Sequence, residues 1–389
     1  MDFDRRIDRI GTHSMKWDML GPLYDLSPES ALPMWVADMD FPAPDCVRRT
    51  IARMAEHGIF GYFGDDRAYN HAIRWWMEAR HGWKVEPDHI LTTHGLVNGT
   101  GLVIDTFTSP GEGVIVMSPV YHAFMRVIRA AGRKVIECPL TMVDGRYRMD
   151  FDLWDSLMTG QERMLLLCSP HNPGGRVWNE AELQETAAFC RRHDLILVSD
   201  EIHHDLIMPG NRHRVMAKAV PDCPDRLIMM TSPSKTFNIA GSHTGNVIIP
   251  DPVLRKRLAN RLAALGISPS SFGPMAVTAA YSPEGAAWLD ELLIYLDGNR
   301  RLFDDALNAL PGIRSMPLEA TYLAWVDFAD TGLTPEQIIT RVERHARIAT
   351  SHGALFGKGG EHFLRFNLAS PRSMIEEATE RLTKAFADL

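Results

Sequence analysis

A lysine whose amine can be neutral condenses with an aldehyde, and Lys235 closes the tetrapeptide SPSK in a setting that suits this role. A carboxylate shielded from water can keep a pyridine nitrogen protonated, and Asp200 in SDEIHH is of the right type. Asn172 in SPHNPGG and the imidazole of His203 can hydrogen-bond a ring oxygen, with His204 competing for the same duty. Tyr121 in SPVY can stack on a ring face. Ser232, Ser234 and Gly95, the last beside a helix start after His94, can donate to a phosphate.

Such residues act together only if the chain brings them together. Short apolar runs precede four of them: Val114–Met117 before Tyr121, Met164–Cys168 before Asn172, Leu195–Val198 before Asp200 and His203, and Leu227–Thr231 before Ser232 and Lys235. Lys134–Cys138 and Asn246–Ile249 are runs of the same kind. Continuous apolarity over four or five residues predicts strands buried on both faces, as in a parallel sheet. Between them lie amphipathic stretches, Glu180–His193 and Asp251–Leu265, the latter opened by Asp then Pro. The alternation predicts an α/β fold with a doubly wound sheet, and ligands in such sheets bind at the carboxyl ends of the strands.

The chain changes character toward its end. A long amphipathic stretch over Pro283–Leu310 leads to a strand in Ala320–Asp327, a helix near Pro335–His345, a strand at His362–Leu368 and a final helix from Ser373. The expected organisation is an N-terminal segment, 1–45, packing with the small domain; a large cofactor-binding domain, 46–283; and a small α+β domain, 284–389.

Composition removes other classes. With 45% hydrophobic and 23% charged residues, bulk disorder and coiled coil are excluded. A net charge of −8 gives no overall attraction to nucleic acid or to an anionic membrane. Five cysteines without a CxxC fit neither a disulfide framework nor a zinc ribbon, and point to a reducing compartment. No apolar run is long enough for a spanning helix and no signal peptide is visible, so a cytoplasmic location is expected. His203, His204 and His213 invite a metal reading, but adjacent histidines diverge on most backbones and no HExxH occurs; no metal site is assigned. GALFGKGG has three residues between Gly353 and Gly357 where a phosphate loop has four.

An aldehyde-accepting lysine, a carboxylate for a pyridine nitrogen and a phosphate cradle are the requirements of pyridoxal phosphate. The segments MWVADMDFP, SPHNPGGRVW, SDEIHHDL and SPSKTFNIAG, in this order, resemble fold-type I pyridoxal-phosphate enzymes. The resemblance is greatest to the MalY/PatB-type cystathionine β-lyase (C–S lyase) branch of the class I/II aminotransferases. It implies the aspartate aminotransferase-like fold, a large domain with a mainly parallel seven-stranded sheet and a smaller α+β domain. It makes Lys235 the residue that condenses with the cofactor, Asp200 the partner of the pyridine nitrogen and Asn172 a ligand of the ring oxygen. Tyr121 becomes the stacking aromatic; Gly95, Leu96 and Ser232 become phosphate binders. Arg365, in FLRFNLA, becomes the clamp on the substrate α-carboxylate. Tyr62, in GYFG, resembles the tyrosine that reaches the phosphate of a neighbouring subunit, so the resemblance implies a homodimer with shared sites. It also implies cis bonds before Pro119 and Pro173. The expected reaction is α,β-elimination from L-cystathionine or a related sulfur amino acid, giving thiol, pyruvate and ammonia. The rival is amino-group transfer to a 2-oxo acid. A regulator that works through a partner protein is a third reading, for which the charge pattern marks no surface.

Two positions depart from the commoner aminotransferase pattern. His203 stands where many have a tyrosine, a form known from the C–S lyase branch. His243 stands where many have a phosphate-binding arginine. Each residue has a blander reading alone: Asp200 as a helix cap, Asn172 as a turn residue, Tyr121 as core, Arg365 as a structural ion pair, and Trp75, Trp76 and Trp83 as packing.

Overall fold

The computed structural model describes residues 1–389. The short apolar runs become strands because each offers Val, Ile, Leu or Met to both faces. The strands are β1 (Ile90–Thr93), β2 (Gly113–Val116), β3 (Lys134–Glu137), β4 (Glu162–Cys168), β5 (Ile196–Asp200), β6 (Leu227–Thr231) and β7 (Gly245–Ile248). They form one seven-stranded sheet in the order β1-β7-β6-β5-β4-β2-β3. All neighbours are parallel except β7, which runs against both β1 and β6. The mainly parallel, doubly wound architecture matches the expectation.

Side chains alternate between two cores. Ile115, Leu165, Leu197 and Met229 join one; Val114, Val116, Leu166, Val198 and Met230 join the other. Each such side chain contributes roughly 1.5–3 kcal/mol relative to exposure. Helices cover both faces, and local chemistry fixes their starts. Asn179 and Glu182 form a capping box on Glu180–Arg192, Asp251 caps Pro252–Ala264, and Ser282 caps Pro283–Asn308. The sequence reading missed β1, whose HILTTH setting is polar and short.

The C-terminal part carries a four-stranded antiparallel sheet: β8 (Arg314–Ser315), β9 (Leu323–Asp327), β10 (Ser351–His352) and β11 (Phe363–Asn367), in the order β8-β9-β11-β10. The helices Pro283–Asn308 and Arg372–Ala385 share a core with it through Phe303, Leu307, Ile375 and Leu382. The helix beginning at Pro335 ends at Thr340 and continues as one wider turn over Arg341–His345.

The N-terminal segment is stitched to this part. Leu32–Pro33 pairs with Ile348–Ala349, and the Asn367 side-chain amide donates to the carbonyls of Val36 and Asp38 at 2.6 Å. It also reaches the large sheet's side, where the Asn238 amide donates to Met39 and Phe41. Trp76 and Trp83 pack in the core, Trp76 stacked on Tyr281. The five cysteines are free and buried, and no helix is long and apolar enough to cross a membrane.

Candidate active site

Parallel strands end on the same side, so their following loops converge. β5 ends on Asp200, in register with Cys168 of β4 and Met230 of β6. Beyond Cys168 the chain turns through Ser169–Pro170 and Asn172–Pro173, both cis, which places Asn172 at the rim. Beyond β2 it turns through cis Ser118–Pro119 to Tyr121, which caps the helix His122–Ala130. The cis bonds at Pro119 and Pro173 match the expectation; that at Pro170 adds to it. β7, running the other way, begins at this rim, so His243 and Thr244 enter from its amino end.

These loops enclose a cavity of about 200 Å³. Gly95, Leu96, Tyr121, Asn172, Asp200, His203 and Lys235 all line it, as does His243. Burial sets the electrostatics. The Asp200 carboxyl is pushed up to about 7, because burial disfavours its charge. One carboxylate oxygen accepts from the amide of Ile202, 3.1 Å away, and the protein supplies no donor to the other. The Lys235 ammonium is brought down to about 8, again chiefly by burial, and Nζ donates to the carbonyl of Ala37 at 2.7 Å. A substantial neutral fraction therefore exists near neutral pH, as a nucleophilic amine requires. Burial, with Lys235 and Arg365 nearby, holds His203 far below the ordinary imidazole range, so it is neutral and its Nδ1 has no partner.

Arg365 lies on β11, in register with Trp325 and Ser351. It is buried, and its guanidinium donates to Asn172 Oδ1 at 2.9 Å, Trp35 O at 3.0 Å and Ser351 Oγ at 3.1 Å. Its Nε has no partner. No carboxylate pairs with it, which removes the structural ion-pair reading. Phe356 sits under the guanidinium at 4.9 Å. Arg365 and Asn172 thus join the two sheets across the cleft.

Arg365 adjoins the cavity through Asn172 without lining it, and two further expected residues stand apart. Ser232 is fully buried and does not line the cavity; its hydroxyl donates to Thr244 O at 2.7 Å and lies 2.9 Å from Ser234 Oγ. It shapes the loop that carries Ser234 and Thr244. Tyr62 is fully exposed and reaches nothing of this chain's own site. The sequence reading also missed contributors. Tyr322, at the head of β9, donates to Ala37 O at 3.0 Å and shares that acceptor with Lys235. Trp35 and Ala37 act through backbone carbonyls, which no side-chain pattern reveals.

The fit to pyridoxal phosphate follows from these observations. An aromatic aldehyde phosphate needs a nucleophilic amine, an acceptor for a ring N–H, donors for a ring oxygen and an anion cradle. Lys235 offers the first and the free Asp200 oxygen the second. Asn172 and the unpartnered His203 suit the third. The helix Leu96–Phe107 opens at Gly95 with φ +81° and no side-chain cap, so its first amides are available to an anion. Gly245 lets β7 approach this turn: a Cβ there would lie 2.9 Å from Gly95 C and 3.0 Å from Leu96 N. The residues present fit the group.

Comparisons with known proteins agree with this geometry. Residues 33–382 match the family of class I and II aminotransferases. The chain is 37% identical to the cystathionine beta-lyase PatB of Bacillus subtilis over the full length of both. Its structure resembles that of cystalysin from Treponema denticola, which contains a pyridoxal 5'-phosphate cofactor, with TM-score 0.94, 38% identity and coverage of 100% and 99% of the two chains. It also resembles a pyridoxal-phosphate-bound C–S lyase from Staphylococcus hominis, with TM-score 0.90, 30% identity and coverage of 100% and 98%.

Proposed function

The chain belongs to the class I and II aminotransferase family, and from that premise we propose that it is a pyridoxal-phosphate-dependent carbon–sulfur β-lyase acting on L-cystathionine or a related sulfur amino acid. The observation that carries this reading is full-length identity of 37% to a cystathionine beta-lyase, in a chain whose cleft holds the matching set of groups. Pyridoxal phosphate, when bound, supplies an aldehyde for the substrate amine and a ring that accepts the electron pair left on the α-carbon.

The chain's own residues do the rest. Arg365 binds the α-carboxylate, exchanging a hydrogen bond to a neutral acceptor for a charge-assisted, bidentate contact. That contact orients the α C–H bond toward Lys235. Lys235, with its amine titrating near 8, removes the α-proton as general base. With the cofactor bound, Asp200 would keep a proton on the ring nitrogen, and that cation would give its carboxyl the partner it lacks in the protein alone. His203, neutral and buried with Nδ1 unpartnered, would help Asn172 hold the ring oxygen. The β-carbon–sulfur bond then breaks, the sulfur leaves with a proton as a thiol, and the remaining three-carbon enamine takes up one water to give pyruvate and ammonia.

Tyr62 is assigned to the neighbouring subunit's phosphate, and the working enzyme to a homodimer. Supporting this, Ile59, Phe60 and Tyr62 are 73%, 58% and 105% exposed in one chain, an apolar segment that a second copy would cover. The test of the reaction is incubation with cystathionine and no added 2-oxo acid. Continuous release of pyruvate, ammonia and thiol in equal amounts is the expected result. A single stoichiometric turnover that resumes when a 2-oxo acid is added would replace elimination with transamination.

A further inference from the structure

A second cluster of chemistry lies where the chain passes the active site. His203 lines the cleft described above, whereas His204 and Asp205 line a separate cavity of about 560 Å³. Asp205 is buried and is approached by three side chains, two from the helix Arg67–His81 and one from the segment after Lys235. Trp76 Nε1 donates to Oδ1 at 3.0 Å, Thr236 Oγ1 donates to Oδ2 at 2.8 Å, and His81 Nε2 lies 2.7 Å from Oδ1. His204 Nε2 is 3.3 Å from Oδ2, yet neither of its ring nitrogens makes a hydrogen bond, although the residue is only 1% exposed. The His81 and His204 rings face each other with centroids 4.3 Å apart.

A buried imidazole with both nitrogens unsatisfied needs a partner. Ligand atoms of His81, His204 and Asp205 all lie within 4.8 Å of one another. Donors bound at zinc-like distances around a tetrahedral ion sit about 3.3 Å apart, so small side-chain adjustments would close the three around one cation. Two imidazoles and one carboxylate are donors suited to a borderline divalent ion, and the carboxylate is already oriented by Trp76 and Thr236. All three residues line the cavity of about 560 Å³, from which a fourth ligand would have to come. Of the cations that line the cavity, Arg80 pairs with Asp290, Arg214 approaches Glu180, Lys218 donates to the backbone carbonyl of His81, and Arg212 has no acidic partner.

We propose that His81, His204 and Asp205 form a site for a zinc-class divalent cation, separate from the pyridoxal-phosphate cleft. It goes beyond the lyase reading and stands without it. The ion would tie together the end of the helix Arg67–His81, the turn after β5 and, through Thr236, the segment carrying Lys235. The sequence grouped His204 with His203 and His213; His213 does lie near, its ring centroid 6.2 Å from that of His204, but it pairs with Glu201, and His81, far upstream, is brought in only by the fold.

The experiment uses untagged, chelator-stripped holoenzyme in phosphate-free buffer, titrated with Zn²⁺ by calorimetry and with Co²⁺ by visible absorption. One saturating equivalent per chain and a tetrahedral Co²⁺ ligand-field band are expected. His81→Ala, its fold checked by circular dichroism because the side chain is only 7% exposed, should weaken binding at least about tenfold and abolish the band. His204→Gln should do the same. Absence of saturable binding, an unaltered Co²⁺ spectrum in folded His81→Ala, or thermal stabilisation by inorganic phosphate but not by Zn²⁺ would each overturn the proposal.

Discussion

Asp200 shows how a site residue can burden the protein that carries it. Its carboxyl titrates near 7 in the folded chain, against roughly 3.9 when exposed to water. Between those values the folded state keeps a proton that the unfolded state has lost. Stability of the cofactor-free protein must therefore fall as pH rises from about 4 to about 7. Asp200→Asn removes that burden and keeps an oxygen for the Ile202 amide. At pH 8 the cofactor-free variant should be more stable than wild type, by up to about 4 kcal/mol, and nearly equal at pH 4. Thermal melts at both values check this. At the same time its pyruvate release should collapse, because a neutral amide cannot hold the ring proton. Lys235→Ala should likewise keep the fold and lose turnover; near-wild-type pyruvate production by that variant would defeat the assignment of the base. The neutral fraction of Lys235 grows as pH rises through about 8, so cofactor uptake by the empty protein should accelerate over that interval. Stopped-flow absorbance after mixing with pyridoxal phosphate would follow it.

At the scale of elements, the active site depends on how the N-terminal segment is anchored. Asp40 is buried with Lys16 Nζ at 2.6 Å, Arg9 at 2.7 Å, Trp17 Nε1 at 2.9 Å and the Ser370 hydroxyl at 2.7 Å. Burial alone would raise its carboxyl; Lys16 and Arg9 outweigh burial and hold it below the usual range. Three residues earlier, Ala37 offers the carbonyl shared by Lys235 and Tyr322. Lys16→Met leaves the buried Asp40 charge with Arg9 as its one remaining cation and should cost about 3 kcal/mol, the low end for breaking a buried pair, read as a shift of the denaturation midpoint. A shift under about 1 kcal/mol would mean that the segment is held by strand pairing with Ile348–Ala349 instead. Gly245→Ala tests the cradle: the added methyl meets Leu96 and Gly95, so cofactor affinity should fall while the sheet survives. These elements also mark what a sequence can reveal. β2, β4, β5 and β6 were legible because both their faces are apolar, and their following SPVY, SPHN, SDEI and SPSK segments announced the cleft. β1 was hidden by its threonines and histidines. Ala37 and Trp35 were hidden because they contribute carbonyls, and the inward role of Ser232 because a loop hydroxyl can face either way. Tyr322 was hidden because a tyrosine in a buried strand reads as core.

The whole molecule poses the question of how many chains complete one site. Within a single chain Tyr62 touches no part of the cleft, and Phe60, more than half exposed, meets Phe272 with ring centroids 5.4 Å apart. A solvent-facing Ile, Phe and Tyr so close together are costly unless covered. If a second copy covers them and receives Tyr62, lysine and tyrosine of one working site come from different chains. Complementation then follows from symmetry. Tyr62→Ala chains keep Lys235 but lend nothing to their neighbour, and Lys235→Ala chains cannot react but lend a normal Tyr62. Each variant alone should be impaired, the first in cofactor affinity and the second in turnover. Unfolded, mixed in equal amounts and refolded, they should form mixed dimers as about half of the population, each with one intact site of two. Activity should recover to about a quarter of wild type at limiting cofactor, as two-fold closed symmetry requires. Recovery no greater than the average of the two parents would place Tyr62 outside the site and leave its exposure without a partner in this reaction.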